Sequence, residues 1–139
     1  AFSKQVVDEL VVSHRQAWTD AGCPGGEQPP VGLLRNLWIA DSEAQRRQAL
    51  DWVRSSYLVY AGLGWGADDT GVDFRAQIEA SMDEVEASAI VGSADQVADE
   101  LAQYDVDLVI ARIGYDQPPR SALTEVIERI GAELVGMVA

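Results

Sequence analysis

The sequence predicts an α/β protein with parallel strands, because short apolar runs alternate with amphipathic helical segments. Two runs, at about 33–40 and 106–114, are almost continuously apolar. Such runs are typical of strands in a parallel sheet, where helices cover both faces. The chain has 139 residues, 47% of them hydrophobic, which is enough for one domain with its own core.

The first predicted element is a helix over 3–21. Its apolar positions recur at steps of three and four and form one face: Val7, Leu10, Val11, His14, Trp18 and Ala21. Gly22 ends this helix, and residues 23–30 form a turn-rich loop. The only histidine lies on the apolar face, so we expect it to be buried between the helix and the sheet.

A helix cap follows the first predicted strand. Asp41 and Ser42 can each cap a helix that runs to about Tyr60, and Ser42 with Gln45 resembles a capping box. We therefore interpret Asp41 first as a capping residue. Arg35 lies inside the strand, where a salt bridge to a neighbouring element is expected.

About 65 residues separate the two strands, far more than a βαβ crossover needs. The excess, residues 61–88, is predicted to be an insertion of the kind that often forms a lid. It contains four glycines around Trp65, which suit either a mobile lid or a flexible linker. A helix is predicted over 74–86, and its acidic run Asp83, Glu84 and Glu86 is expected to face solvent.

Gly92 and Ser93 precede a helix predicted over 94–103. A helix N-terminus can hold a phosphate, but Ser93 with Gln96 three residues later also makes a capping box. Asp95 in the first turn would repel a phosphate, so capping is the favoured interpretation.

Candidate site residues follow the second strand. Arg112, Gly114, Tyr115 and Asp116 come at its carboxyl end, the edge where α/β proteins bind ligands. Arg112 would contact an anionic ligand or form an internal ion pair. Trp38 would line a binding pocket or fill the core. A last helix is predicted over 121–135, with these residues inward: Leu123, Val126, Ile127, Ile130 and Leu134.

The composition excludes several classes of function. The net charge of −13 argues against binding to nucleic acid and to anionic membranes. No apolar run approaches the length of a membrane span. One histidine and one cysteine give no metal-binding pattern, and no nucleophile elbow is present. The single Cys23 fits a reducing, cytoplasmic setting.

Two segments carry a resemblance to a known family. "NLWIADSEAQRRQALDW" and "AIVGSADQVADELAQYDVDLVIARIG" resemble the last strands and helices of the bacterial-luciferase-like flavin monooxygenases. The resemblance implies that the chain is the last quarter of a (β/α)₈ TIM barrel and is incomplete on its own, with 61–88 as a lid-like insertion. The chain also begins inside a helical pattern, which we expect of a segment of a larger protein.

The resemblance also implies an activity. The full enzyme would use reduced FMN and O₂ to oxygenate a small organic substrate, with a flavin reductase as a partner. A deazaflavin-dependent oxidoreductase of the same fold is the alternative. These residues would line the cofactor or substrate site: Trp38, Trp65, Arg112, Gly114 and Tyr115. The catalytic and flavin-phosphate residues would lie outside this chain, which would be inactive alone. A different hypothesis is a non-catalytic acidic α/β module that binds a protein partner.

Overall fold

The computed structural model describes residues 3–23, 27–64, 73–113 and 118–138. Three parallel strands form one sheet in the order β2-β1-β3: β1 is Gly32–Ile39, β2 is Ala89–Gly92 and β3 is Leu108–Arg112. β2 pairs with the carboxyl half of β1, Asn36 to Ile39. β3 pairs with the amino half, Gly32 to Asn36. The two edge strands therefore meet β1 at different heights.

The remaining elements are helices. They are α1 (Lys4–Asp20), α2 (Glu43–Gly62), α3 (Phe74–Ala80), α4 (Asp83–Ser88), α5 (Ala94–Leu101), α6 (Arg120–Arg129), a π-helical turn (Ile130–Leu134) and α7 (Val135–Val138). None of the helices in the described part of the chain is long and apolar enough to cross a membrane.

Helices lie on both faces of the sheet because the β1 side chains alternate between them. On the first face, here called the α5 face, Leu33, Leu37 and Ile39 pack with residues of α1 and α5. On the second, the α2 face, Ala89 packs with residues of α2, α3 and α4 in a separate cluster. The protein thus has helix, sheet and helix layers, which confirms the predicted α/β class.

The third strand corrects the expectation of two. The sequence predicts only that the residues before Ser93 lead into a helix, whereas Ala89–Gly92 pairs with Asn36–Ile39 as a strand. Four residues are too few to show a strand period, which explains the omission. The helix predicted over 74–86 is also two helices, because Ser81 adopts an extended backbone between them.

The predicted insertion contributes to the core. Ile78 of α3 and Val85 of α4 are both fully buried in the cluster on the α2 face. Arg54 of α2 donates to the carbonyl oxygens of Ile78 and Glu79 at 3.0 and 2.8 Å. Residues 73–88 are therefore packed into the domain. Trp65, on which the lid hypothesis centred, lies outside the described residues.

The expectation that helices cover both faces of both long strands is wrong for part of the α2 face. Leu34, Leu108 and Ile110 are 56%, 57% and 50% exposed. Leu34 lies beside Ile110 in the register, and Leu108 lies beside Gly32. Since partners in a parallel register point to the same face, the three side chains form one apolar surface, here called the open β1–β3 surface.

The first helix buries less than its pattern suggests. Only Val7 and Val11 are buried in α1, while His14 is exposed and Leu10 is 53% exposed. The prediction of a buried core histidine is therefore wrong. Helical period alone overestimates burial where only a narrow stripe of a helix contacts the rest of the protein.

Candidate functional site

A cleft opens at the carboxyl end of β1, between the helix that follows β1 and the helix that follows β3. α2 follows β1, and α6 follows β3 and packs back against β1. A crevice therefore forms between α2 and α6 beyond the carboxyl end of β1. Ligands of open parallel sheets bind in such crevices, and this position makes the cleft the strongest candidate site.

The cleft has a volume of about 320 Å³. It is lined by Trp38, Ile39, Ala44, Gln45, Gln48, Trp52, Ala122, Glu125, Val126 and Arg129. We name it the tryptophan cleft, because the rings of Trp38 and Trp52 meet there at 5.0 Å between centroids, tilted by 55°. Both indoles are half-buried, and Val126 and Ile39 form the buried floor. The tilt gives an angled aromatic wall on the α2 side.

Arg129 lies on one side of the cleft and forms ion pairs with two carboxylates. Its guanidinium contacts Asp41 at 2.8 and 3.1 Å and Glu133 at 2.7 and 2.9 Å. These bonds, first to Glu133 and then to Asp41, raise the pKa of Arg129, and the bond from Arg129 lowers the pKa of Glu133. Asp41 is therefore an ion-pair residue, which corrects its interpretation as a cap. Ser42 caps α2 by accepting from the Gln45 N–H at 3.2 Å.

Arg112 lies on the α2 face, beside Asn36 in the register. Its Nη2 donates to the Tyr60 hydroxyl at 2.8 Å, and the guanidinium lies over the Tyr60 ring, 5.2 Å from the centroid. The sequence predicts either an anionic ligand or an internal carboxylate as the partner of Arg112. The structure adds an aromatic partner, Tyr60. Trp38 and Arg112 also border a common gap between α2 and β3, but its volume of about 10 Å³ holds no ligand.

The N-terminus of α5 is filled by its own capping box, as the sequence predicts. The Ser93 side chain accepts from the Gln96 N–H at 3.3 Å, and the Gln96 side chain accepts from the Ser93 N–H at 2.9 Å. A Cβ atom at Gly92 would lie 2.7 Å from Oε1 of Gln96. Glycine is therefore needed to let the Gln96 amide fold back, and the Gly-Ser step is explained without a phosphate.

Two buried polar groups on β1 bind neighbouring elements. On the α2 face, Asn36 donates to the Tyr57 hydroxyl at 2.7 Å, and that hydroxyl donates to Oγ of Ser88 at 2.8 Å. On the α5 face, Arg35 donates to the Tyr104 hydroxyl at 3.3 Å. Both β1 residues are 5% exposed, so these bonds join the layers of the domain.

The sequence-predicted site residues separate in the structure. Trp38 lines the tryptophan cleft, Arg112 lies beside Tyr60, and Gly114, Tyr115 and Trp65 lie outside the described residues. Four other cleft residues that carry chemistry were not among the sequence-predicted site residues: Gln48, Trp52, Glu125 and Arg129. The helical period of Trp52 can place it on an apolar face, but gives no information on which helix lies opposite.

Within the described part of the chain, no three metal-binding side chains of the His, Cys, Asp and Glu types are grouped together. Comparison with known proteins adds no assignment, since no family model, no curated protein and no solved structure matches the chain.

Proposed function

We propose that the protein is part of a flavin-dependent monooxygenase with a luciferase-like barrel, in which β1 and β3 are consecutive barrel strands. The two strands are parallel neighbours, although four helices and β2 lie between them in the chain. In a (β/α)₈ barrel, consecutive strands pair in this way and the outer helices cover one face. The α5 face, with α1 and α5 packed on it, would be the outer face, and the position of α2 on the opposite face departs from the barrel pattern.

The open β1–β3 surface is the observation that carries this proposal. In a barrel, side chains on this face fill the interior and are covered by those of the other strands. Here Leu34, Leu108 and Ile110 are each at least half exposed. β2 would be a short extra strand that directly follows the insertion.

The described residues fit the ring end of a flavin better than its phosphate end. The open β1–β3 surface offers an apolar wall, and Arg112 lies at its carboxyl edge. The N–H groups at the start of α5 are occupied by a capping box, so the phosphate would be held by residues elsewhere. When bound, reduced FMN would supply the electrons with which O₂ oxygenates a small organic substrate. A deazaflavin would instead serve in hydride transfer, and a reductase would supply reduced FMN.

The first experiment is the intact mass of the gene product in cells of the source organism. A mass of about three times 15.0 kDa is expected for a full barrel with insertions. That product should be stabilised against heat by FMN or by a deazaflavin. Arg112→Lys should reduce this stabilisation, whereas Arg47→Lys should not, because Arg47 lies on the exposed surface of α2. If neither cofactor shifts the melting temperature of the full product, the flavin proposal is wrong.

The open β1–β3 surface also favours a second candidate, an acidic α/β module that binds a protein partner through this surface. A gene product of 15.0 kDa that forms a defined complex in light scattering would support it. Ile110→Asp should then abolish the complex, because a charge would be buried in an apolar interface. Leu63→Asp is the control, since Leu63 is 78% exposed at the end of α2 and is outside the surface defined here.

A further inference from the structure

We propose that the tryptophan cleft binds a small planar aromatic cation. The cleft is separate from the open β1–β3 surface, because it lies between α2 and α6 beyond the end of β3. The proposal therefore does not rest on the flavin function. Its volume of about 320 Å³ is at the lower end of the range for small-molecule pockets, which suits a ligand of two or three fused rings.

The walls of the cleft provide a surface for stacking. Trp38 and Trp52 present half-buried indoles at 55° to each other, so a flat ring can stack on one and meet the edge of the other. Ala44 and Ala122 stand on the two helices at the opening. Their short side chains leave room between α2 and α6 that a larger residue would fill.

The charge of the cleft favours a cation over an anion. Arg129 is the basic residue of the lining, and it already bonds to the carboxylates of both Asp41 and Glu133. Two carboxylates on one guanidinium leave a net negative charge. Glu125 adds a further negative charge to the lining. Its carboxylate has no hydrogen-bond or ion-pair partner in the ranges 3–23, 27–64, 73–113 and 118–138. A cation would pair with Glu125 while its ring stacks on the indoles, where cation–π attraction adds to the binding.

The polar groups that remain would set the orientation of the ligand. Gln45 is engaged, since its side-chain oxygen accepts from the Asp41 N–H at 2.9 Å. Gln48 has no hydrogen-bond partner in the described part of the chain, and its amide lines the same wall. It can donate to or accept from a ring substituent. A phosphate or carboxylate ligand would meet the carboxylate of Glu125 and an arginine whose charge is offset by Asp41 and Glu133, so the cleft would exclude it.

The test uses the protein labelled with ¹⁵N and two probes of the same ring shape and opposite charge. N-methylquinolinium is the cation and naphthalene-2-sulfonate is the anion. The indole N–H resonances of Trp38 and Trp52, assigned by single Trp→Phe variants, report binding at the cleft. We expect N-methylquinolinium to shift both resonances saturably, with binding at least about tenfold tighter than that of the sulfonate.

Two pairs of variants separate charge from shape. Glu125→Gln should weaken binding of the cation about fivefold, whereas Glu128→Gln, an exposed change on the same helix outside the lining, should not. Ala122→Leu should abolish binding by filling the cleft, and the exposed Ala76→Leu on α3 is its control. Equal binding of the two probes, no shift of either indole, or cation binding that Glu125→Gln leaves unchanged would each overturn the proposal.

Discussion

The buried hydrogen bonds around Tyr57 give a prediction whose size follows from the geometry. The Tyr57 hydroxyl accepts from Asn36 at 2.7 Å and donates to Ser88 at 2.8 Å, so it joins β1 and the end of α4 to α2. Tyr57 is 4% exposed, and water cannot readily replace the hydroxyl. Tyr57→Phe removes both bonds and keeps the ring.

Each such bond contributes about 0.5–1.5 kcal/mol net, so Tyr57→Phe should lower the free energy of unfolding by about 2 kcal/mol. With a urea m-value of about 2 kcal/mol/M, the midpoint of urea unfolding followed by circular dichroism should fall by roughly 1 M. Tyr60→Phe is the matched control on the same helix. Tyr60 is 37% exposed, so the loss of its bond to Arg112 should cost less than about 1 kcal/mol. If the two variants unfold at the same midpoint, the hydrogen bonds of Tyr57 do not hold these layers together.

Two further predictions concern the ends of α5 and α6. Ser93→Ala should destabilise the protein by about 1 kcal/mol, because it removes one half of the α5 capping box. Urea unfolding checks this, and a change below about 0.3 kcal/mol would contradict the capping role. Glu133→Gln should change the pH dependence of stability. Arg129 lowers the folded-state pKa of Glu133 from 4.5, so the carboxylate stabilises the folded state at neutral pH and loses this effect as the pH falls below about 4.5. Urea unfolding at several pH values should therefore show that the wild type has a higher free energy of unfolding than Glu133→Gln at neutral pH, and that this difference narrows toward pH 3. A difference in the free energy of unfolding that stays constant with pH would refute the ion pair as its source.

The sequence predicts the local elements of this fold better than their arrangement. Periodicity and capping residues place β1, α2 and α5 within a few residues, since these signals are local in the chain. The strand order is not local. Nothing in "ASAIVG" tells whether Ala89–Gly92 pairs with Asn36–Ile39 or leads directly into α5. That choice depends on contacts between residues more than 50 positions apart in the sequence.

The candidate site also depends on contacts between residues that are far apart in the sequence, so the sequence predicts only part of it. Trp38 was a candidate from its place at the end of a strand, and the structure puts it in the tryptophan cleft. Arg129 had no sequence signal, because a basic residue near the end of a helix is common on protein surfaces. Its importance comes from Asp41, 88 positions earlier, whose carboxylate reaches it only after α6 packs against β1.

Under the two proposals, the two surfaces would bind different ligands because their charges differ. FMN carries a phosphate. A chain with net charge −13 repels this phosphate at any surface that lacks exposed basic residues. The tryptophan cleft neutralises its arginine with two carboxylates, so it is unsuited to a flavin even though its indoles would stack on the ring. The open β1–β3 surface is apolar and ends at Arg112, so it suits a flavin ring whose phosphate is held by other residues. If FMN shifted the Trp38 and Trp52 resonances at lower concentrations than N-methylquinolinium does, this division of ligands would be wrong. The carboxylates of Asp41 and Glu133 would then have to move away from Arg129 when FMN binds.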